Sequence, residues 1–159
     1  MTTKEKLLAL LEDSKGTFFS GEEIARTLQV SRAAVWKAVN ALREDGYTID
    51  AATNKGYRLS PDSDILSPQG IRRFLKPEYR DLDLTVLPTA PSTNALVREK
   101  ANQGRPEGCI IIACEQTDGR GRYGRQFFSP ADTGVYLSLL LRPTAYSPQQ
   151  ATCLTAAAA

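Results

Sequence analysis

An α+β chain of two domains is what this 159-residue sequence predicts, and three observations carry the prediction. The first sixty residues show three helical stripes followed by two short strand signals. A polar, proline-bearing stretch, 61–66, then interrupts the pattern. Beyond it, β-branched apolar runs alternate with helix signals, as in a mixed α/β layer. The predicted division is an N-terminal domain over 1–60, a linker over 61–66 and a second domain over 67–159.

The elements follow in order. Residues 3–14 carry Leu7, Leu8, Leu10 and Leu11 as a helical stripe ending at Gly16. Ser20 and Glu23 form a capping-box pattern that opens a helix with Ile24, Ala25 and Leu28 inward. Ser31 caps a third helix through Arg43, with Val35, Val39 and Leu42 inward, and Gly46 stops it. Strands at 47–50 and 56–59 flank a loop containing Asn54, Lys55 and Gly56. After the linker, Ser67-Pro68 signals a helix carrying Ile71, Phe74 and Leu75. A strand over 82–87 is expected to stop at Pro88, and Ser92 or Thr93 to cap a helix closed by Gly104. The run 108–115 reads as a strand buried on both faces, and 135–141 as another strand. From Pro148 the sequence turns helical and alanine-rich. It reaches Ala159 without a capping signal, so the second domain is expected to be incomplete.

Composition narrows the chemistry. With 20 Lys plus Arg, 18 Asp plus Glu and 42% hydrophobic residues, the chain belongs with globular proteins, not disordered ones. Its longest apolar run, 109–114, is far below the ~18 residues needed to span a bilayer. The charged start has no cleavage signal, so a soluble cytoplasmic protein is expected. There is no histidine, which removes histidine-based nucleophilic catalysis and histidine metal sites. Cys109, Cys114 and Cys153 show no CxxC spacing, and buried inert thiols are expected. No protein-borne metal site is predicted.

Helix, short turn, helix and a two-stranded hairpin make a winged helix-turn-helix, whose second helix enters the major groove. The first sixty residues hold 9 basic and 8 acidic groups, so the argument for DNA is local. No acid occurs over 31–43, where Arg32, Lys37 and Arg43 are exposed by the pattern. Ser31, Arg32, Ala33 and Lys37 are the predicted DNA contacts, with Lys55 at the wing tip reaching a phosphate.

The second domain carries its chemistry at 119–125, where three glycines and three arginines alternate without an acid. Such a loop has the backbone freedom to wrap an anion and the fixed charge to hold it. Gly119, Gly121 and Gly124 fit GxGxxG, but Phe127-Phe128-Ser129-Pro130 follows in place of a helix, against a dinucleotide fold. Arginine-glycine loops also bind RNA nonspecifically, which leaves a nucleic-acid reading open.

With the N-terminal winged helix, the Pro91-Ser92-Thr93-Asn94 segment and the Gly-Arg-Gly-Arg-Tyr-Gly-Arg loop before Phe-Ser-Pro, the chain resembles the bifunctional biotin–protein ligases that double as biotin operon repressors. The resemblance implies a second domain that is the first part of a class II synthetase-like ligase fold. It implies biotin binding by Ser92, Thr93, Asn94, Gln116, Gly119, Arg120, Gly121 and Arg122. Arg120 and Arg122 would serve catalysis, and Tyr123, Gly124 and Arg125 would complete a loop closing over the adenylate. Phe127 stands where the family usually has tryptophan, which keeps an aromatic wall but loses an indole N–H.

The implied substrates are biotin and ATP, with Mg²⁺ brought by the nucleotide. The implied partners are operator DNA, a biotin carboxyl carrier protein and a second copy of the chain when liganded. Elements that the family carries further along are absent, so the 159 residues alone are not expected to be a competent ligase. The contrasting expectation is a non-catalytic winged-helix regulator sensing a small anionic ligand.

Overall fold

The computed structural model describes residues 1–131, 133–143, 147 and 150. Two compact units divide the chain, Met1–Arg80 and Asp81–Ala159. The expected alanine-rich helix from Pro148, with Cys153, lies outside the described residues.

In the first unit, helix α1 (Thr3–Asp13) starts at a full capping box. The Thr2 hydroxyl accepts from Glu5 N, and the Glu5 carboxylate accepts from Thr2 N. Helix α2 (Gly21–Leu28) opens at Ser20, whose hydroxyl accepts from Glu23 N. Gln29 ends it in the left-handed region at φ 54, and a three-residue turn leads to α3 (Arg32–Glu44), capped by Ser31. Leu7, Leu11, Ile24, Val35, Val39 and Leu42 are all at most 1% exposed and form the core. Each full burial of such a side chain contributes roughly 1.5–3 kcal/mol, so this three-helix core fixes the orientation of α3.

Strands β1 (Ile49–Ala52) and β2 (Gly56–Leu59) pair antiparallel as the wing, with β1 two residues later than the sequence predicts. Asn54 (φ 63) and Gly56 (φ 93) make the turn. A Cβ on Gly56 would lie 2.1 Å from Phe19 O, because Phe19 and Tyr57 exchange two backbone hydrogen bonds there. The hairpin is thereby pinned to the segment between α1 and α2.

The stretch 61–66, expected as a free linker, is packed on this unit. Ile65 lies against the core, and Ser67 is 1% exposed. The Ser67 hydroxyl donates to the buried Glu12 carboxylate and accepts from Gly70 N, capping α4 (Pro68–Arg72). Arg73 donates to Glu12 O. Asp62 and Asp64 remain exposed, while Ile65 and Ser67 are turned toward the unit. Phe74, expected inward, is 82% exposed because α4 ends before it.

The second unit is a three-stranded sheet in the order β3-β4-β5. Strand β3 (Leu84–Ala90) runs parallel to β4 (Ile110–Gln116), with α5 (Thr93–Asn102) between them in the chain. Strand β5 (Tyr136–Leu139) is antiparallel to β4. Contrary to expectation β3 continues through Pro88, which an edge strand tolerates because a missing N–H there interrupts no inner ladder.

Ile111, Ile112 and Ala113 are buried, as expected of a central strand. Val97 of α5 packs with Cys109, Ile111 and Leu140. The alternating row Val135, Leu137, Leu139 and Leu141 is instead exposed, and Ser138 and Leu140 face inward. Among the described residues no helix is long and apolar enough to cross a membrane.

Candidate functional site

The first candidate surface is the solvent side of α3. Ser31, Arg32, Ala33 and Lys37 are all exposed, and Arg32 and Lys37 have no ion-pair partner among the described residues. Arg43 is different: its Nε and Nη2 donate to Ile49 O at 3.1 and 2.7 Å, which ties α3 to the wing. Its charge serves structure first. Lys55 sits at the wing tip, its ammonium 6.0 Å from the Phe18 ring centre, and Arg58 lies 4.7 Å from the same ring while pairing with Asp50. Phe18, which sequence reasoning passed over, thus orients the wing cations.

The second candidate site lies at the carboxyl ends of the parallel strands β3 and β4, where open α/β sheets place their ligands. Beyond β3, Ser92 is the N-cap of α5 by backbone geometry, but its hydroxyl makes no capping bond. The cap comes from across the sheet. Gln116, the last residue of β4, accepts from Thr93 N at 2.8 Å and from the Thr93 hydroxyl at 3.2 Å. Its amide then donates to Ser129 Oγ at 3.1 Å.

Ser138 of β5 donates toward both Thr93 Oγ1 (2.9 Å) and Asn94 Oδ1 (2.7 Å), one proton between two acceptors. The structure therefore brings Thr93, Asn94 and Gln116 into one network, with Ser92 adjacent and 5% exposed. Ser129 and Ser138 complete it and were not foreseen. The available signal was the lone hydroxyl of Ser138 within an apolar run.

The loop 119–127 folds back on itself as a hairpin. Phe127 N donates to Gly119 O, and Gly121 N donates to Arg125 O at 2.7 Å. Gly119 has to be glycine on packing grounds, since a Cβ would lie 2.4 Å from Phe127 O and 2.7 Å from Ser129 Oγ. The same Cβ would lie 3.4 Å from the Gln116 amide nitrogen, so Gly119 packs beside the network. The turn at the tip uses left-handed backbone at Tyr123 (φ 59) and Gly124 (φ 75).

The loop is not a set of free cations, as its own composition suggested. Asp118, one residue before it, holds the Arg120 guanidinium at 2.9 and 3.3 Å. Arg125 is exposed, Tyr123 is 91% exposed, and the Arg122 side chain lies outside the described part.

Of the two described thiols Cys109 is buried, as expected, and Cys114 is only partly buried. Burial pushes the Cys109 thiol above its ordinary range and the Asp83 charge adds to the shift, so it stays protonated near neutrality. Among the described residues no three His, Cys, Asp or Glu side chains gather as a metal site.

Comparison with known proteins finds a match for a segment of each unit. A family model described as an HTH domain matches residues 3–58. One described as the biotin/lipoate A/B protein ligase family matches residues 86–159. The bifunctional ligase/repressor BirA of Bacillus subtilis (strain 168) is 39% identical over 142 residues, covering 89% of this chain and 44% of that protein. The bifunctional ligase/repressor BirA of Escherichia coli (strain K12) is 36% identical over 141 residues, covering 89% and 42%. That of Salmonella typhimurium (strain LT2) is 35% identical over 136 residues, covering 86% and 40%. The chain thus spans less than half the length of these relatives.

Proposed function

From the premise that a chain joining an HTH domain to a biotin/lipoate A/B protein ligase segment belongs with the bifunctional ligase/repressors, we propose that it serves an ATP-dependent biotin–protein ligase that also represses transcription from operator DNA. The observation that supports this most is the convergence of Thr93, Asn94, Gln116 and Gly119 at the carboxyl ends of β3 and β4, next to a cationic glycine loop.

The reaction needs no protein nucleophile. The biotin carboxylate attacks the α-phosphorus of ATP, the bond to the β-phosphate oxygen breaks, and pyrophosphate leaves. The biotinyl-5′-adenylate so formed is attacked at its carbonyl by a lysine amine of a biotin carboxyl carrier protein, releasing AMP and a proton. Both steps depend on positioning and charge neutralisation.

In this proposal Ser92, Thr93, Asn94 and Gln116 hold the biotin end. The Thr93 hydroxyl, the Asn94 carboxamide and the Gln116 amide are already held by bonds among themselves, Ser129 and Ser138, as a pre-organised site requires. Arg120 and Arg122 neutralise the carboxylate and α-phosphate, and Tyr123, Gly124 and Arg125 close over the adenylate. The Arg120–Asp118 pair is 74% and 57% exposed, so breaking it costs only about 0–1 kcal/mol and an arriving anion competes for the guanidinium. Mg²⁺ would enter on the ATP phosphates, which suits an ion that keeps most of its ligands as phosphate and water.

Ser31, Arg32, Ala33, Lys37 and Lys55 would meet operator DNA. The adenylate would act as corepressor by favouring a homodimer that spans paired half-sites. A cytoplasmic location follows from these partners.

Native mass spectrometry tests the reading on the protein from its source cells after addition of biotin and MgATP. One biotinyl-5′-adenylate per chain is expected, with tighter binding to DNA. No adduct, with DNA binding indifferent to biotin, would overturn the ligase and leave a non-catalytic winged-helix regulator.

A further inference from the structure

We propose that Trp36 is a base-reading side chain of α3, packing its indole against thymine 5-methyl groups in the major groove. The inference rests on the DNA-binding reading of the first unit and goes one residue class beyond it. Tryptophan is highly buried on average, yet Trp36 is 58% exposed. Its helix has already filled its inner side with Val35, Ala38, Val39 and Leu42.

At ~100° per residue, Trp36 falls on the flank of the solvent side, about 70° from its centre. It lies one turn beyond Arg32 and Ala33 and beside Lys37, and residues three and four apart are surface neighbours. Arg32, one turn before it, and Lys37, the next residue in the chain, are exposed cations with no ion-pair partner among the described residues, and Ala33 is small enough to admit a groove floor.

Charge decides what covers it. No acid occurs over 31–43, and the exposed Glu44 stands two turns further along at the end of α3, so the N-terminal part of this surface, around Trp36, is complementary to a polyanion. Among α1, α2 and α3, Trp36 is also the single large hydrophobic side chain exposed among the described residues. One exposed indole falls short of the several hundred Å² of contiguous apolar surface that marks a protein-docking patch. In a major groove, the apolar group available to it is the thymine methyl, the one apolar feature of the base edges.

The sequence contains one tryptophan, so indole emission reports on this residue alone. The probe is a duplex recovered from a randomised pool by retention on the full 159-residue chain. Adding it is expected to quench or shift the emission. Replacing thymines one at a time by deoxyuridine is expected to reveal a position where losing the methyl costs the native chain about three- to fivefold in affinity. At that position Trp36→Ala loses nothing further, and Trp36→Phe retains part of the preference.

If Arg32→Ala weakens binding while Trp36→Ala binds as the native chain does, with the same deoxyuridine profile, the proposal falls and the DNA reading stands. If no duplex is retained at low salt, the DNA reading falls and takes the proposal with it. Emission that shifts with protein concentration in the absence of DNA would mean that a second copy covers the indole, which also overturns the proposal.

Discussion

The two cationic surfaces of this chain are built on opposite plans. Arg32 and Lys37 stand on a helix whose inner side is locked by Val35, Val39 and Leu42, all at most 1% exposed. Arg120 stands on a hairpin containing Gly119, Gly121 and Gly124 and spends its charge on Asp118. A DNA surface has to match a rigid, repeating polyanion, so its cations are fixed and left open. In the proposed reading the second surface has to admit a reactive small molecule and then shield it, which suits a glycine-bearing loop whose cation is already paired. What differs is therefore preorganisation, not net charge.

The strongest way to break the contrast is to remove the support beneath the rigid surface. Leu42→Ala is expected to cost the first unit about 2–5 kcal/mol, a large share of a domain's stability. Urea unfolding followed by Trp36 emission should show the midpoint fall, with the Thr93–Gln116 site unaffected.

Next in size is Gly119→Ala, which forces a Cβ to 2.4 Å from a backbone oxygen and should cost about 3 kcal/mol of local structure. Gly124→Ala, a glycine at φ 75 with open space around it, should cost only about 1 kcal/mol. Biotin affinity measured by calorimetry should drop at least tenfold in the first variant and much less in the second, with DNA binding unchanged in both. Equal losses would mean that the hairpin acts through flexibility alone.

Gln116→Leu probes the fixed half of the second site. It strands Thr93 N, at about 1–3 kcal/mol for a buried group left unpaired, while the Thr93 hydroxyl keeps its bond from Ser138 and Ser129 Oγ its bond to Phe127 O. Thermal unfolding of the second unit should move down, and biotin binding should be lost with it. Retention of biotin binding at native affinity would remove Gln116 from the proposed site.

What was legible in the sequence tracks how local the causes are. Ser20, Ser31 and Ser67 were readable as caps because each bonds to the N–H three residues on. The Thr2–Glu5 box carried the same signal and was missed. Ser92 reads as a cap by the same local logic, but the actual acceptor is Gln116, reached only when β4 lies beside β3. Pro88 was read as a stop because its missing N–H is visible in sequence, whereas the edge position that makes it harmless is not. The polar stretch 61–66 reads as linker because the packing of Ile65 on the N-terminal core depends on residues far away in the chain. The loop's arginines and glycines were plain in sequence. That one acid just outside the motif takes up Arg120 is a matter of geometry.

That pairing supplies the smallest and sharpest test of the comparison. If the second surface holds its cation in reserve, removing the acid should release it. Asp118→Asn keeps the backbone bond from residue 118 N to Pro91 O and abolishes the ion pair. Because the pair is largely solvent-exposed, stability should change by less than about 1 kcal/mol. Ligand binding in the native chain has to break the pair, and the variant does not, so biotin should bind up to about fivefold tighter, the same energy expressed as affinity. The gain should vanish in the double variant with Arg120→Ala. A weaker affinity in Asp118→Asn would mean that the carboxylate itself meets the ligand, and the loop would then be a preformed site like α3.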